Sequence, residues 1–161
     1  MRFILSCTIL IFLASCSRSV YYVVRHAERD NGAMGTDVPL SEAGRQRAIA
    51  LRDLLKKERI THIYSTNYIR TKSTAQPLSD AIHVPVEIYV PGDTSFVTRV
   101  RKLGKGNFLI IGHSNTVDDL VNRLAGTRVV AGDLSDTEYG DLFIIRRKGK
   151  HHNFEKAHFG Q

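Results

Sequence analysis

The 161 residues, 42% apolar and 24% charged, suit one compact domain with a full core that needs neither disulfide nor metal to hold it. A formal net charge of +7 favours anionic partners. The basic residues are dispersed and accompany no recognised nucleic-acid motif, which leaves nucleic acid out of the expected partners.

The chain opens on Arg2, the apolar stretch Phe3 to Leu13, and then Ala14-Ser15-Cys16. A basic residue, a short apolar run and small residues before a cleavage point make a secretory signal over residues 1–15, and about a dozen apolar residues are too few to span a bilayer. Leu13-Ala14-Ser15-Cys16 also resembles the lipobox of bacterial lipoproteins. That resemblance implies lipidation of Cys16 as the mature N-terminus, and a periplasmic or cell-envelope protein anchored to a membrane. Cys7 leaves with the signal, so no cysteine pair remains and redox chemistry is excluded. Residues 16–19 form a short tether, and the domain expected over 20–161 sits almost on the bilayer. Removal of Arg2 lowers the charge by one and leaves the domain basic.

Val20-Tyr21-Tyr22-Val23-Val24 is a continuous run of β-branched and aromatic residues, the pattern of a strand buried on both faces. It stops at Arg25-His26-Ala27-Glu28. A glycine-containing loop, Asn31 to Gly35, leads to Leu40-Ser41-Glu42, where Ser41 is a helix N-cap and Glu42 lies in the favourable first turn. The helix runs to about Lys57, with Ala48, Leu51, Leu54 and Leu55 on its apolar face and Arg45, Arg52, Lys56 and Lys57 toward water. His62 to Ser65 reads as a short strand, and a helix follows from about Tyr68 that Pro77 should bend or end. Val84 to Val90 is the next strand. After Pro91-Gly92-Asp93 come a basic helix from Thr94 to Leu103, a strand from Asn107 to Ile111 and a helix from Thr116 to Leu124. Leu142 to Arg146 and Asn153 to Phe159, on either side of Gly149, read as a hairpin or edge strands closing the sheet. The alternation predicts an α/β fold, a three-layer α/β/α sandwich around a mostly parallel central sheet.

Strands that end in Arg25-His26 and in Gly112-His113-Ser114-Asn115 deliver chemistry-bearing side chains to the carboxyl edge of a parallel sheet, where open α/β folds bind ligands. Arg70 lies near the start of the helix that follows the His62 to Ser65 strand. Planar guanidinium groups match phosphoryl oxygens through paired hydrogen bonds, which suits Arg25 and Arg70. A neutral imidazole oriented through its other nitrogen can attack phosphorus in line and hold the phosphoryl group, the role expected of His26. A protonated His113 beside the equatorial oxygens adds positive charge in the transition state. Ser114 and Asn115 open a helix whose amides favour anions. His62, His83 and His151-His152 have no Cys, Asp or Glu at ligand spacing, so no metal and no cofactor are expected.

These segments resemble the histidine phosphatase superfamily, the phosphoglycerate mutase-like clan, in its short-chain branch. Arg25-His26-Ala27-Glu28 is similar to the Arg-His-Gly-Glu motif, with Ala27 in place of the commoner glycine. Leu40-Ser41-Glu42-Ala43-Gly44 is similar to the helix entry that follows it, and Ser65 with Arg70, Thr74 and Ala75 to the second-arginine motif. Gly112-His113-Ser114-Asn115-Thr116 completes the set. The resemblance implies a phosphoglycerate mutase-like fold and metal-independent hydrolysis of phosphomonoesters through a phosphohistidine on His26. The absence of the insertions that long mutases use to cover their substrate favours water as acceptor.

The resemblance also implies a general acid in the loop after the third strand, where Asp93 is preferred to Glu87; Glu28 and Asp118 are further candidates. If no acid is present, phosphohistidine and other phosphoramidates become the substrates of choice, and a short relative in the superfamily acts on phosphohistidine. A protein that binds a phosphate group or another anion at the surface without turnover is the other alternative. The expected partners are a phosphorylated small molecule or a surface glycan or lipid, and the membrane through Cys16.

Overall fold

The computed structural model describes residues 18–149 and 151–160; the expected signal and lipidation at Cys16 lie outside them. Ten elements follow one another: β1 (Arg18–Arg25), α1 (Glu42–Leu55), β2 (His62–Ser65), α2 (Ile69–Ile82), β3 (Val86–Ile88), α3 (Thr94–Lys102), β4 (Gly106–Gly112), α4 (Val117–Ala125), β5 (Asp141–Lys148) and β6 (His151–His158). The strands form one sheet in the order β3-β2-β4-β1-β5-β6. β3, β2, β4 and β1 run parallel, and β5 and β6 add antiparallel at one edge.

Successive side chains on a strand point to opposite faces, so the central apolar runs divide between two cores. Tyr21, Val23, Phe108, Ile110, Phe143 and Ile145 pack with α3 and α4 residues such as Val97, Val100, Val121 and Leu124. Tyr22, Val24, Leu109, Ile111, Leu142 and Ile144 pack with Leu51 and Leu55 of α1 and Leu78 of α2. Helices on both faces make the three layers that the alternation of elements predicts. No described helix is long and apolar enough to cross a membrane.

Several boundaries differ from the sequence reading, each for a local reason. β1 begins at Arg18, inside the expected tether, because Arg18 and Ser19 pair with Lys148 and Arg147 of β5. α1 stops at Leu55, and its buried stripe of Gly44, Ala48, Leu51 and Leu55 leaves Leu54 exposed. Pro77 does not end α2, which continues to Ile82 with Leu78 and Ser79 buried against the sheet; packing of the flanking residues outweighs the missing proline donor. β3 keeps only Val86–Ile88 of the expected seven residues, since Ile63, Tyr64 and Ser65 are its only strand partners. The closing hairpin is longer than expected, with all eight residues of β5 paired to β6.

The loop after β1 is fixed against the start of α1. Ser41 N–H donates to Glu28 O at 2.9 Å, and Ser41 Oγ accepts from Gly44 N at 3.1 Å as the N-cap. A Cβ built on Gly44 would lie 2.2 Å from Glu28 O, a backbone atom with nowhere to go. Gly44→Ala should therefore destabilise the chain by about 2 kcal/mol through overpacking, read as a lower urea midpoint at unchanged slope.

Candidate active site

Register brings the two strand ends together. Arg25 is the partner of Gly112 across the β1–β4 pair, and His26 N–H continues the ladder to Gly112 O at 3.0 Å. The next residues, His26 and His113, leave adjacent strands side by side, with ring centroids 5.5 Å apart at 67°. Both line a hollow of about 660 Å³ at the carboxyl edge of the sheet, together with Arg25, Arg29, Tyr68, Arg70, Ser114 and Asn115.

His26 is 4% exposed. Its Nδ1 lies 2.7 Å from Ala27 O, and a carbonyl can only accept, so Nδ1 carries the proton and Nε2 the lone pair. Burial pushes the ring down to about 3, assisted by the positive Arg25 and Arg70 and by His113, against the Ala27 hydrogen bond. The imidazole is neutral and oriented near neutral pH, as an attacking group must be.

The guanidinium groups are held by backbone carbonyls. Arg25, 5% exposed, donates Nη1 to Ser135 O at 2.8 Å and Glu138 O at 3.2 Å, with Tyr139 stacked 4.1 Å from its Cζ. Arg70 donates Nη1 to Thr36 O at 3.1 Å, lies 3.8 Å from Asp37, and rests over the Tyr68 ring at 4.5 Å. The Nε of each arginine is buried without a hydrogen-bond partner among the described residues. An unmet buried donor costs free energy, and two on positive groups lining one hollow suit an oxyanion that would accept from both.

His113 is anchored through a hydroxyl relay. Thr71 Oγ1 donates to Thr66 O at 2.8 Å, Thr66 Oγ1 donates to Thr71 Oγ1 at 3.0 Å, and His113 Nε2 lies 2.9 Å from Thr66 Oγ1. With the Thr66 proton committed to Thr71, Thr66 accepts Nε2–H from His113. That leaves Nδ1 to hold a further proton. Burial first, then Arg70 and Arg25, push His113 down to about 4, against Asp37. The protonated ring expected of His113 from sequence is thus a neutral one near neutral pH; a dianionic ligand would reverse that field.

The expected acids lie elsewhere. Asp93 caps α3, accepting from Ser95 Oγ at 2.7 Å, from Arg99 at 2.8 Å and from Ser95 N at 2.8 Å, and those bonds hold it at about 2. It borders a separate hollow with Phe96 and Arg123. Glu28 is half-buried, which by itself raises its pKa, but the Arg47 hydrogen bonds at 2.8 and 2.9 Å outweigh that and hold it low. Neither has a proton to give near neutral pH, and neither lines the histidine hollow. Glu87 is exposed on the β3 edge, and Asp118 lies in the first turn of α4 outside the hollow. The carboxylates that do line it are Asp133 and Asp136.

Asp133 and Asp136 belong to the connection between α4 and β5, which carried no signal of its own. It is tied across the mouth by Leu134 N–H to Ser114 O at 2.9 Å and supplies Tyr139. Asp37 was also missed; its carboxylate accepts from Ile69 N at 2.7 Å, capping α2 from a distant loop because Tyr68 at the N-cap position has no acceptor to offer. Arg29 and Tyr68 were legible in principle, one just past the first motif and one two residues before Arg70. Among the described residues no three His, Cys, Asp or Glu side chains meet as a metal-binding group.

Residues 21–89 match the family model of the histidine phosphatase superfamily (branch 1). No curated protein matches the chain. Among solved structures, the protein histidine phosphatase SixA complexed with tungstate is similar at a TM-score of 0.69 and 18% identity, over 86% of this chain and 96% of that one. Phosphoglycerate mutase from Bacillus anthracis follows the same fold at a TM-score of 0.64 and 17% identity, over 88% and 93%. A mycobacterial glucosyl-3-phosphoglycerate phosphatase does so at 0.61 and 14%, over 88% and 98%. The fold is phosphoglycerate mutase-like, as the sequence resemblance implies.

Thr66→Val keeps the shape and removes the relay. Loss of one hydrogen bond, about 1 kcal/mol, should change the His113 tautomer balance, visible in its ring ¹⁵N shifts, and slow any turnover at this site about fivefold to tenfold. Thr66→Ser should restore both.

Proposed function

We propose that the chain is a histidine phosphatase superfamily enzyme that hydrolyses phosphomonoesters through a phosphohistidine on His26. The observation that carries this reading is the neutral His26 ring with its Nδ1 proton on Ala27 O, beside two guanidinium groups whose buried Nε donors have no partner among the described residues. The Nε2 lone pair attacks phosphorus in line; the P–N bond forms as the bond to the leaving oxygen breaks, and that oxygen takes up a proton from water at the mouth of the hollow. Arg25, Arg70 and a His113 that gains its proton with the dianion meet the charge on the equatorial oxygens, with Ser114 and Asn115 beside them. Water then displaces His26, forming the new P–O bond and releasing a proton to solvent as the P–N bond breaks and its electron pair returns to Nε2. No metal takes part in the proposed cycle.

The second reading is a phosphoramidate phosphatase, one acting on phosphohistidine included. Its support is the state of the carboxylates: Asp93 is held ionised by Ser95 and Arg99, and Glu28 by Arg47, all outside the hollow, and Asp136 is 96% exposed. A protonated nitrogen leaves without a strong acid, whereas an alkoxide does not. SixA, to which the chain is similar over 86% of its length at 18% identity, is a protein histidine phosphatase. An anion-binding protein without turnover would need the cations but not a neutral, oriented His26. We place the enzyme in the cell envelope, anchored through Cys16, on the strength of the N-terminal sequence.

His26→Ala should lower hydrolysis of para-nitrophenyl phosphate in the presence of chelator by at least about a thousandfold while phosphate still binds by calorimetry; unchanged turnover would exclude the phosphohistidine route. The pH profile follows from the two rings. His26 is neutral above about 3 and His113 carries its second proton only below about 4, so the productive proton arrives more readily in acid. kcat/KM should rise as pH falls from 8 to 5, by up to about tenfold per unit, and an acid limb near 6.5 would contradict the lowered His26.

A further inference from the structure

The basic residues, dispersed in sequence, gather on the fold at the end of the sheet opposite the histidines. Four segments meet there: the start of β1, the α1–β2 loop, the α3–β4 loop and the β5–β6 turn. They are stitched together by Ser19 Oγ–H to Gly104 O, Tyr22 O–H to Glu58 Oε2 at 2.8 Å, Thr61 N–H to Asn107 O at 2.8 Å, and the Arg18–Lys148 strand pair. They present Arg18, Lys57, Arg59, Lys102, Lys105 and Lys148, all exposed. None of the six is ion-paired among the described residues. Of the carboxylates nearby, Glu58 is engaged by Tyr22 and Asp53 by Arg52 and Lys56. Between Lys102 and Lys105, Leu103 stands 51% exposed, an apolar tip among cations.

We propose that this face docks on the anionic headgroups of a lipid bilayer. It rests on the reading of the N-terminal sequence as a membrane tether, because Cys16 and Ser17 join the fold at Arg18, inside the basic face. Clustered Lys and Arg beside an anchor are drawn to anionic lipid and act within about a Debye length of the surface, and one exposed leucine suits the headgroup boundary. The face exposes no Phe, Tyr or Trp side chain among the described residues, so a nucleic acid would find only imidazoles such as those of His151 and His152 to stack on. The docked domain has a defined orientation: β1 spans eight residues from Arg18 to Arg25, about 25 Å at strand rise, so the hollow opens away from the bilayer. Its substrates are then phosphorylated molecules of the aqueous phase, not phosphate groups at the lipid surface.

The test uses the full chain carrying Cys16→Ser, which cannot be acylated, with vesicles of phosphatidylcholine alone or with one-quarter phosphatidylglycerol. The expected result is tighter partitioning on the anionic vesicles at low salt, falling toward the neutral level at high salt. The quadruple variant Lys57→Gln, Arg59→Gln, Lys102→Gln and Lys105→Gln should lose about a hundredfold or more of that preference. A variant losing equal charge at Lys72, Arg123, Arg128 and Lys156 should lose far less. Equal losses in the two variants, or no preference for anionic lipid, would overturn the docking face, as would tighter binding to a DNA duplex than to vesicles. Failure to bind neutral vesicles, with the anionic preference intact, would instead count against the apolar run as a tether. On anionic vesicles, hydrolysis of soluble para-nitrophenyl phosphate should persist while vesicle-borne phosphatidic acid is spared; cleavage of phosphatidic acid would overturn the orientation.

Discussion

The pairing of β1 with β4 is the constraint on which the site depends. Each strand by itself ends in a histidine, but only the parallel register Arg25↔Gly112 places His26 beside His113. A slip of one residue would turn every side chain to the other face, exchanging the two cores and sending His26 away from the hollow. That register is enforced by apolar burial on both faces: Val23, Val24, Phe108, Leu109, Ile110 and Ile111 are wholly buried. Core packing and site geometry are therefore one specification.

Burial at the strand ends also sets the chemistry. Removing Arg25, His26 and His113 from water depresses the proton affinity of both rings, and the positive arginines add to it. The same burial leaves guanidinium donors unmet, a standing cost that an oxyanion would relieve. The carbonyls of Ser135 and Glu138, the Tyr139 face and the Thr36 carbonyl keep the arginines in place, while Asp136 and Asp37, 3.6 and 3.8 Å from Arg25 and Arg70, offset part of their charge from the solvent side.

The two ends of the sheet differ in how their cations are used. At the histidine end Arg25 is buried and Arg70 half-buried around a small hollow; at the other they are exposed and unpaired on a broad face beside the point where the N-terminal segment enters. One sheet thereby separates a pocket from a surface by the length of a strand.

The sequence by itself determined the elements whose signal is local. Continuous β-branched runs announced β1 and β4, Ser41 announced the start of α1, and the βα alternation announced the layers, because periodicity and capping are properties of neighbouring residues. Arg25, His26, Arg70 and His113 were legible as a set, since each sits at a strand or helix end recognisable in one dimension. What only the tertiary structure decided depends on contacts between distant segments. The α4–β5 connection across the mouth, Asp37 capping α2, the Thr66 and Thr71 relay and the ionised states of Asp93 and Glu28 all rest on partners that no local pattern names. The gathering of dispersed lysines and arginines into one face has the same origin: charge is written along the chain, but its field is set by which loops the fold brings to the same end.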